Sequence, residues 1–352
     1  MKKILAMVLV LMMCVGCASA FAADKVGVAM PTQSLQRWNQ DGANMKEQLE
    51  AAGFEVDLQY ANNEVATQVS QIENMILNDC KVLVVASIDG GALDTVLAAA
   101  KDAGIIVIAY DRLLTGTKNV DYYTTFDNYG VGTIQGQYVE QKFDLANTDQ
   151  VYTIEFTGGD PGDNNAGLFF GGAYDVLKPY LDAGKLVCVS GQTTFEQIAT
   201  PNWDSAKAQS RMDTILTGYY PDALTGGQKL DIALCSNDST AQGVSASLVS
   251  FGYTKENIPV ITGQDCDTAS MINMLAGLQS MSIFKDTRTL AAQTVAMVKD
   301  ILAGNTPETN ATYDNQVFEV PSFNCTPVFA DLDNYQELLI DSGYYKPEDL
   351  GL

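Results

Sequence analysis

The chain has 352 residues, a formal net charge of −23 and no histidine. So large a negative charge repels nucleic acid and anionic lipid surfaces, which excludes both as partners. Without histidine the chain lacks the commonest general base, the commonest zinc ligand and the base of a Ser-His-Asp triad. We therefore expect a protein that is not an enzyme and that holds no metal and no cofactor.

The N-terminus, residues 1–23, is predicted to be a secretory signal peptide. Lys2 and Lys3 supply positive charge, and residues 4–15 form an apolar run too short to span a bilayer as a stable helix. Small residues follow, so either a signal peptidase cuts among them or Cys17 becomes a lipidated N-terminus. We expect an exported protein that acts in the periplasm or at the outer face of the cytoplasmic membrane.

From Lys25 the chain alternates short β-branched runs with amphipathic helical stretches. The predicted strands are 26–30, 54–58, 82–86 and 105–110, and the predicted helices are 38–52, 64–78 and 93–103. Repeated βα units of this length require right-handed crossovers and a parallel sheet that is covered on both faces. The pattern therefore predicts a doubly wound α/β lobe.

After Asp127 the same pattern begins again and predicts a second doubly wound lobe. Its predicted helices are 130–143, 165–177, 205–216 and 240–251, and its predicted strands are 151–156, 186–190, 232–235 and 260–263. No linker rich in Pro, Gly or Ser separates the two lobes, so we expect several chain crossings through a narrow hinge. The predicted N-terminal lobe comprises 24–127 plus 284–318, and the predicted C-terminal lobe comprises 128–283 plus 319–352.

Charged and amide side chains gather where the predicted strands end. In the first lobe these are Arg37, which Trp38 follows, Asp111 and Arg112. In the second lobe they are Asp163, Asn164, Asn165, Asn237, Asp238, Gln264 and Asp265. Ligands of open parallel sheets bind outside the carboxyl ends of the strands. Asp111 and Arg112 could equally form a surface ion pair of little energetic value, but their position after a buried strand favours a binding cleft.

The residue types in this cleft suit a sugar. Carboxylates and amide oxygens accept hydrogen bonds from hydroxyl groups, and arginine and asparagine donate them. Trp38 and Trp203 are the two tryptophans of the chain, one in each lobe, and could stack on the C–H faces of a pyranose ring. Alternatively, either tryptophan could simply close the edge of a core.

Several motifs of the chain resemble those of the sugar-binding proteins of ABC importers. They are 29–32, 37–38, 71–75, 109–113, 125–128, 163–166, 263–265, 283–288 and 342–346. The chain is most similar to the branch that binds xylose or several monosaccharides (glucose and galactose), and the similarity covers essentially all of the predicted mature chain. It implies a type I periplasmic binding protein fold, in which two lobes close on the ligand like a Venus flytrap.

The resemblance also implies site residues. The ring-stacking plates fall on Trp38 and Trp203. The residues that bind hydroxyl groups fall on Arg37, Asp111, Arg112, Asn165, Asn237, Asp265 and Lys285, with Asp163, Gln264 and Asp238 as additional candidates.

The sequence predicts a monomer that captures a monosaccharide and delivers it to the permease of an ABC importer. The monosaccharide is a pentose or a hexose, such as xylose, glucose or galactose. One alternative is a sugar sensor that docks on a receptor kinase or chemoreceptor in the membrane. A remote alternative is an exported carbohydrate-active enzyme that uses Asp111 with Asp265. A DNA-binding sugar repressor would need a helix-turn-helix headpiece where this chain has its predicted signal peptide.

Overall fold

The computed structural model describes residues 23–352, so residues 1–22 of the predicted signal peptide, with Cys17, lie outside the described residues. The strands are β1 (Lys25–Met30), β2 (Glu55–Tyr60), β3 (Val82–Val85), β4 (Ile106–Tyr110), β5 (Tyr122–Phe126), β6 (Tyr152–Thr157), β7 (Leu186–Val187), β8 (Ile232–Cys235), β9 (Val260–Ile261), β10 (Ser282–Phe284), β11 (Ala311–Asp314), β12 (Glu319–Cys325) and β13 (Val328–Ala330).

The helices lie between these strands, as the alternating pattern predicted. They are α1 (Gln36–Ala51), α2 (Val65–Leu77), α3 (Asp94–Asp102), α4 (Asn128–Lys142), α5 (Asn164–Asp182), α6 (Phe195–Ile198), α7 (Ser205–Tyr219), α8 (Asp238–Phe251), α9 (Thr268–Leu275) and α10 (Thr287–Leu302). Short helical turns occur at Pro201–Trp203, Gln336–Asp341 and Pro347–Leu350.

The first lobe is built on a sheet whose strand order, within residues 23–352, is β11-β12-β5-β4-β3-β1-β2. All neighbours in it are parallel except β11 and β12. Successive side chains of β3 point to opposite faces: Val82 and Val84 pack with Trp38, whereas Leu83 and Val85 pack with Met75. Both faces are therefore covered, as predicted for a doubly wound sheet.

The second lobe contains the parallel sheet β7-β6-β8-β9. A bridge between Gln264 and Ile283 continues this sheet towards β10, which pairs antiparallel with β13. The fold class is thus the predicted one, with two α/β lobes whose strands point their carboxyl ends towards a shared cleft.

The segment Glu319–Cys325 corrects one predicted boundary. It was assigned to the C-terminal lobe, but β12 pairs in parallel with β5, with Ser322 opposite Tyr123. Helix α10 likewise packs against α1 of the first lobe. Within the described residues, the chain therefore passes between the lobes after β5, after β10 and after β12. The assignment was wrong because the composition of a strand does not show which sheet edge it joins.

Two further findings concern membrane-spanning helices and the cysteine thiols. Among residues 23–352, no helix combines the length and the apolar character that crossing a bilayer requires. The cysteines of this range are free thiols, and Cys80, Cys235, Cys266 and Cys325 are buried. Cys188 is only partly buried.

Candidate functional site

A cavity lies between the lobes, and most of its walls are charged or aromatic side chains. It is lined by Leu35, Arg37, Trp38, Asp111, Arg112, Asp163, Phe169, Trp203, Asn237, Gln264, Asp265, Asp267 and Lys285. The structure therefore brings together all the site residues that the sequence predicted, except Asn165 and Asp238. Leu35, Phe169 and Asp267 line the cavity without having been predicted.

Arg37 connects acidic residues of both lobes. It lies in the first turn of α1, and its Nη2 atom is 3.0 Å from Oδ2 of Asp111 in the first lobe. Its Nη1 atom is 3.4 Å from Oδ1 of Asp265 in the second lobe. Burial by itself would lower the pKa of Arg37, but Asp111 and the other nearby carboxylates outweigh it and raise the pKa well above its usual value. Arg37 thus remains a cation inside the closed cleft.

Asp41 is a further acidic partner of Arg37. Its carboxylate is fully buried and accepts a hydrogen bond from Nε of Arg37 at 2.9 Å. It also forms an ion pair with Nη2 of Arg37 at 2.8 Å and accepts a hydrogen bond from the hydroxyl group of Tyr110. The sequence analysis missed Asp41. Its position four residues after Arg37 on a helix was the available signal, because such residues lie on the same helix face.

Asp111 is a buried carboxylate of the cavity lining. It follows β4 in a left-handed conformation with φ of 59°, which aspartate tolerates better than most residues. Its Oδ2 atom is 3.8 Å from Nζ of Lys285, which also lies 3.2 Å from Asp265. Burial would raise the pKa of Asp111, but Arg37, Lys285 and Arg112 outweigh this effect and lower it. Asp111 is therefore an ionised acceptor at neutral pH.

A second charged pair, Arg112 with Asp163, also links the two lobes. Nε of Arg112 in the first lobe lies 3.0 Å from Oδ2 of Asp163 in the second lobe. The indole N–H of Trp203 donates to the same oxygen at 3.2 Å. Asp163 also caps α5 by accepting from the backbone N–H of Asn165. Burial raises the pKa of Asp163 in spite of the charge of Arg112.

Both tryptophans line the cavity, but their surroundings differ. Trp38 is part of the core of the first lobe, and the guanidinium carbons of Arg37 and Arg112 lie 4.6 and 5.0 Å from its ring centroid. Trp203 packs on Phe169, with ring centroids 6.2 Å apart. A Cβ atom at Gly159 would come within 1.9 Å of the Trp203 ring, so glycine is required there.

Asn165 and Asp238 are bound by other protein groups and do not line the cavity. Asn165 donates to the backbone carbonyl of Asp111 at 2.7 Å. Asp238 accepts hydrogen bonds from Ser282 at 2.8 Å and from Gln279 at 2.9 Å. The sequence places both residues after strands, but it does not show in which direction their side chains point.

Three buried acceptors of the cavity lining have no hydrogen-bond partner within residues 23–352. They are Oδ2 of Asp111, which is held only by ion pairs, Oε1 of Gln264 and Oδ1 of Asp267. Together with the carboxylates, the cations and the aromatic rings, they form a set of donors, acceptors and apolar surfaces that matches a ligand rich in hydroxyl groups.

Comparison with known proteins supports this interpretation. Residues 26–306 match the periplasmic binding protein domain family. The chain is 48% identical to a multiple sugar-binding periplasmic receptor of Rhizobium radiobacter, over 95% of this chain and 94% of that protein. It is 33% identical to a D-xylose-binding periplasmic protein of Escherichia coli, over 93% and 92% respectively.

Among solved structures, an ABC transporter solute binding protein from Clostridium phytofermentans with bound β-D-glucose is 58% identical to this chain. Its fold superimposes with a TM-score of 0.90, over 93% of this chain and 100% of that chain.

Proposed function

Because this chain belongs to the periplasmic binding protein domain family, we propose that it is an extracytoplasmic solute-binding protein that captures a monosaccharide and delivers it to an ABC importer. The observation that carries the proposal is the Arg37 network, in which one buried cation contacts Asp111 of the first lobe and Asp265 of the second. Hydroxyl groups of a sugar can exchange with such contacts, because carboxylates and guanidinium groups bind them strongly.

The proposed mechanism is closure of the hinge on the sugar. In an open form, Asp111, Arg112 and Trp38 present the half-site of the first lobe, and the second lobe then adds Asp163, Trp203 and Asp265. Closure buries the ligand, and the closed surface is the form that a permease recognises.

The other parts of the proposal concern location and activity. The relatives are periplasmic proteins by name, which supports export of this chain as a free protein or as a lipoprotein anchored at Cys17. We further propose that the protein acts as a monomer, without enzymatic activity. A role in sensing, through a membrane sensor, is the second candidate, because the relative from Rhizobium radiobacter is named a receptor.

The proposal is tested with purified protein and a panel of aldopentoses and aldohexoses. A ligand at 100 times its Kd should stabilise the fold by about 2.7 kcal/mol and raise the melting temperature. Isothermal titration calorimetry should then give one site per chain. If no monosaccharide shifts the melting temperature, the proposed function is wrong. Turnover of a glycoside would instead favour the carbohydrate-active enzyme.

A further inference from the structure

Asp267 lies where the cavity adjoins a wider outer cavity. The outer cavity has a volume of about 590 Å³ and lies between the two lobes. Leu35, Trp203 and Asp267 line both cavities. The other walls of the outer cavity are mainly neutral polar side chains, among them Asn62, Asn63, Asn202, Ser205 and Gln242.

The side chain of Asp267 has an unused acceptor. The residue is 7% exposed, and its backbone N–H donates to Oδ2 of Asp238 at 2.8 Å. Its own Oδ1 atom is buried and has no hydrogen-bond partner among the described residues. A buried acceptor without a partner is costly, whereas a hydroxyl group of a ligand placed against it would remove that cost.

The other carboxylates of the lining are held in ion pairs. Asp111 and Asp265 are held by Arg37 and Lys285, and Asp163 is held by Arg112. A substituent that projects beyond a sugar ring needs space as well as a polar partner. The boundary at Asp267 offers both, because the outer cavity lies beyond it.

We propose that Asp267 accepts a hydrogen bond from the exocyclic hydroxyl group of a hexopyranose, so that the site prefers aldohexoses to the matching aldopentoses. This inference rests on the proposed sugar-binding function and adds a specificity-determining residue to it. A pentopyranose lacks the exocyclic hydroxymethyl group and would leave Oδ1 of Asp267 without a partner.

The experiment uses sugars that differ only in this group. D-glucose, 6-deoxy-D-glucose and D-xylose share one ring configuration, and D-galactose, D-fucose and L-arabinose share another. At pH 8, above the pKa of about 7 that burial and Asp265 give Asp267, the wild-type chain should bind the hexose of the better-bound series about tenfold or more tightly than its 6-deoxy and pentose counterparts. This is the ratio that one charge-assisted hydrogen bond provides.

Calorimetry with Asp267→Ala should show a loss of about tenfold or more for the hexose and little change for the other two sugars. Asp267→Asn retains an acceptor oxygen and should recover part of the loss. Glu64→Ala is the matched control, since Glu64 is an exposed residue that lines the outer cavity alone.

Three results would overturn the inference and leave sugar binding intact: a wild-type pentose affinity equal to that for the hexose, equal losses for all three sugars, or an unchanged selectivity in Asp267→Ala. If the wild-type protein bound none of the six sugars, the proposed function itself would fail.

Discussion

Asn165 of the second lobe donates a hydrogen bond of 2.7 Å to the backbone carbonyl of Asp111 in the first lobe. Its amide oxygen accepts from the hydroxyl group of Tyr123, also in the first lobe, at 3.3 Å. Asn165 therefore joins the two lobes, and we expect it to contribute to sugar affinity by stabilising the closed form.

Replacement of Asn165 by Ala should reduce the affinity for every bound sugar by the same factor, about tenfold, because the two contacts that it makes favour closure alone. Calorimetry over a panel of sugars measures the factor, and small-angle X-ray scattering reports the fraction of closed molecules. A change in the ranking of the sugars would show instead that Asn165 touches the ligand.

Replacement of Asp111 by Asn should cost about 2–4 kcal/mol of binding free energy. The carboxylate of Asp offers two charged acceptor oxygens, whereas the amide of Asn offers one neutral acceptor oxygen and one donor NH2 group. Asparagine tolerates the left-handed backbone of this position, so the fold should be retained. The loss in unfolding free energy of the sugar-free protein, measured with urea, should be smaller than the loss in binding.

A matched control for this variant is Asp121→Asn, in which the carboxylate pairs with Lys101 away from the cavity. It should bind sugar as the wild type does. If Asp111→Asn lowers the stability of the sugar-free protein markedly while affinity survives, Asp111 is a structural ion-pair partner and does not bind the ligand.

Trp203 can be tested in two steps. Trp203→Ala removes the ring and should weaken binding by about 1–3 kcal/mol. Trp203→Phe keeps an aromatic plate but loses the N–H that donates to Asp163, so its affinity should lie between those of the wild type and Trp203→Ala. Equal affinity in all three proteins, measured by calorimetry, would show that Trp203 does not contact the bound sugar.

The dependence of sugar affinity on pH should show the titration of the Asp41 carboxyl group. Burial raises the pKa of this carboxyl group to about 6, although Arg37 opposes the shift. Between pH 7 and pH 5 the group therefore becomes neutral and holds Arg37 less firmly, and sugar affinity should fall by roughly tenfold.

A raised carboxyl pKa means that the folded protein binds this proton more tightly than the unfolded chain does. Protonation of Asp41 between pH 7 and pH 5 therefore does not reduce the free energy of unfolding.

In an Asp267→Asn background, Asp41→Asn should abolish this pH step in calorimetric titrations. Burial and the neighbouring Asp265 raise the pKa of Asp267 to about 7, so its titration overlaps that of Asp41, and Asp267→Asn serves to separate the two. If the affinity of the double variant declines with acidification as that of Asp267→Asn does, Asp41 is not the titrating group.

The sequence predicted the positions that follow strands better than the direction of their side chains. Arg37, Asp111 and Asp265 were found because parallel strands bring their carboxyl ends to one edge. Asn165 and Asp238 follow strands too, yet their side chains point to neighbouring protein groups, which only packing determines.

Strand β5 was missed for a related reason. Its Thr124 and Thr125 are polar and so weaken the apolar pattern of a buried strand. Both are nevertheless buried, because the hydroxyl group of Thr124 pairs with Thr294 at 2.8 Å and that of Thr125 donates to the backbone of Asp111 at 3.0 Å. Tertiary partners satisfy these hydroxyl groups, and a local sequence pattern cannot show them.

The return of β11 and β12 to the first sheet imposes an order on synthesis. The ribosome makes the sheet β7-β6-β8-β9 and strand β10 of the second lobe before it makes these two strands, so the N-terminal lobe lacks one edge of its sheet until Cys325 has emerged. Domains normally fold as units while the chain grows, beginning with the N-terminal one. Here the topology postpones completion of the N-terminal lobe until most of the chain has been translated.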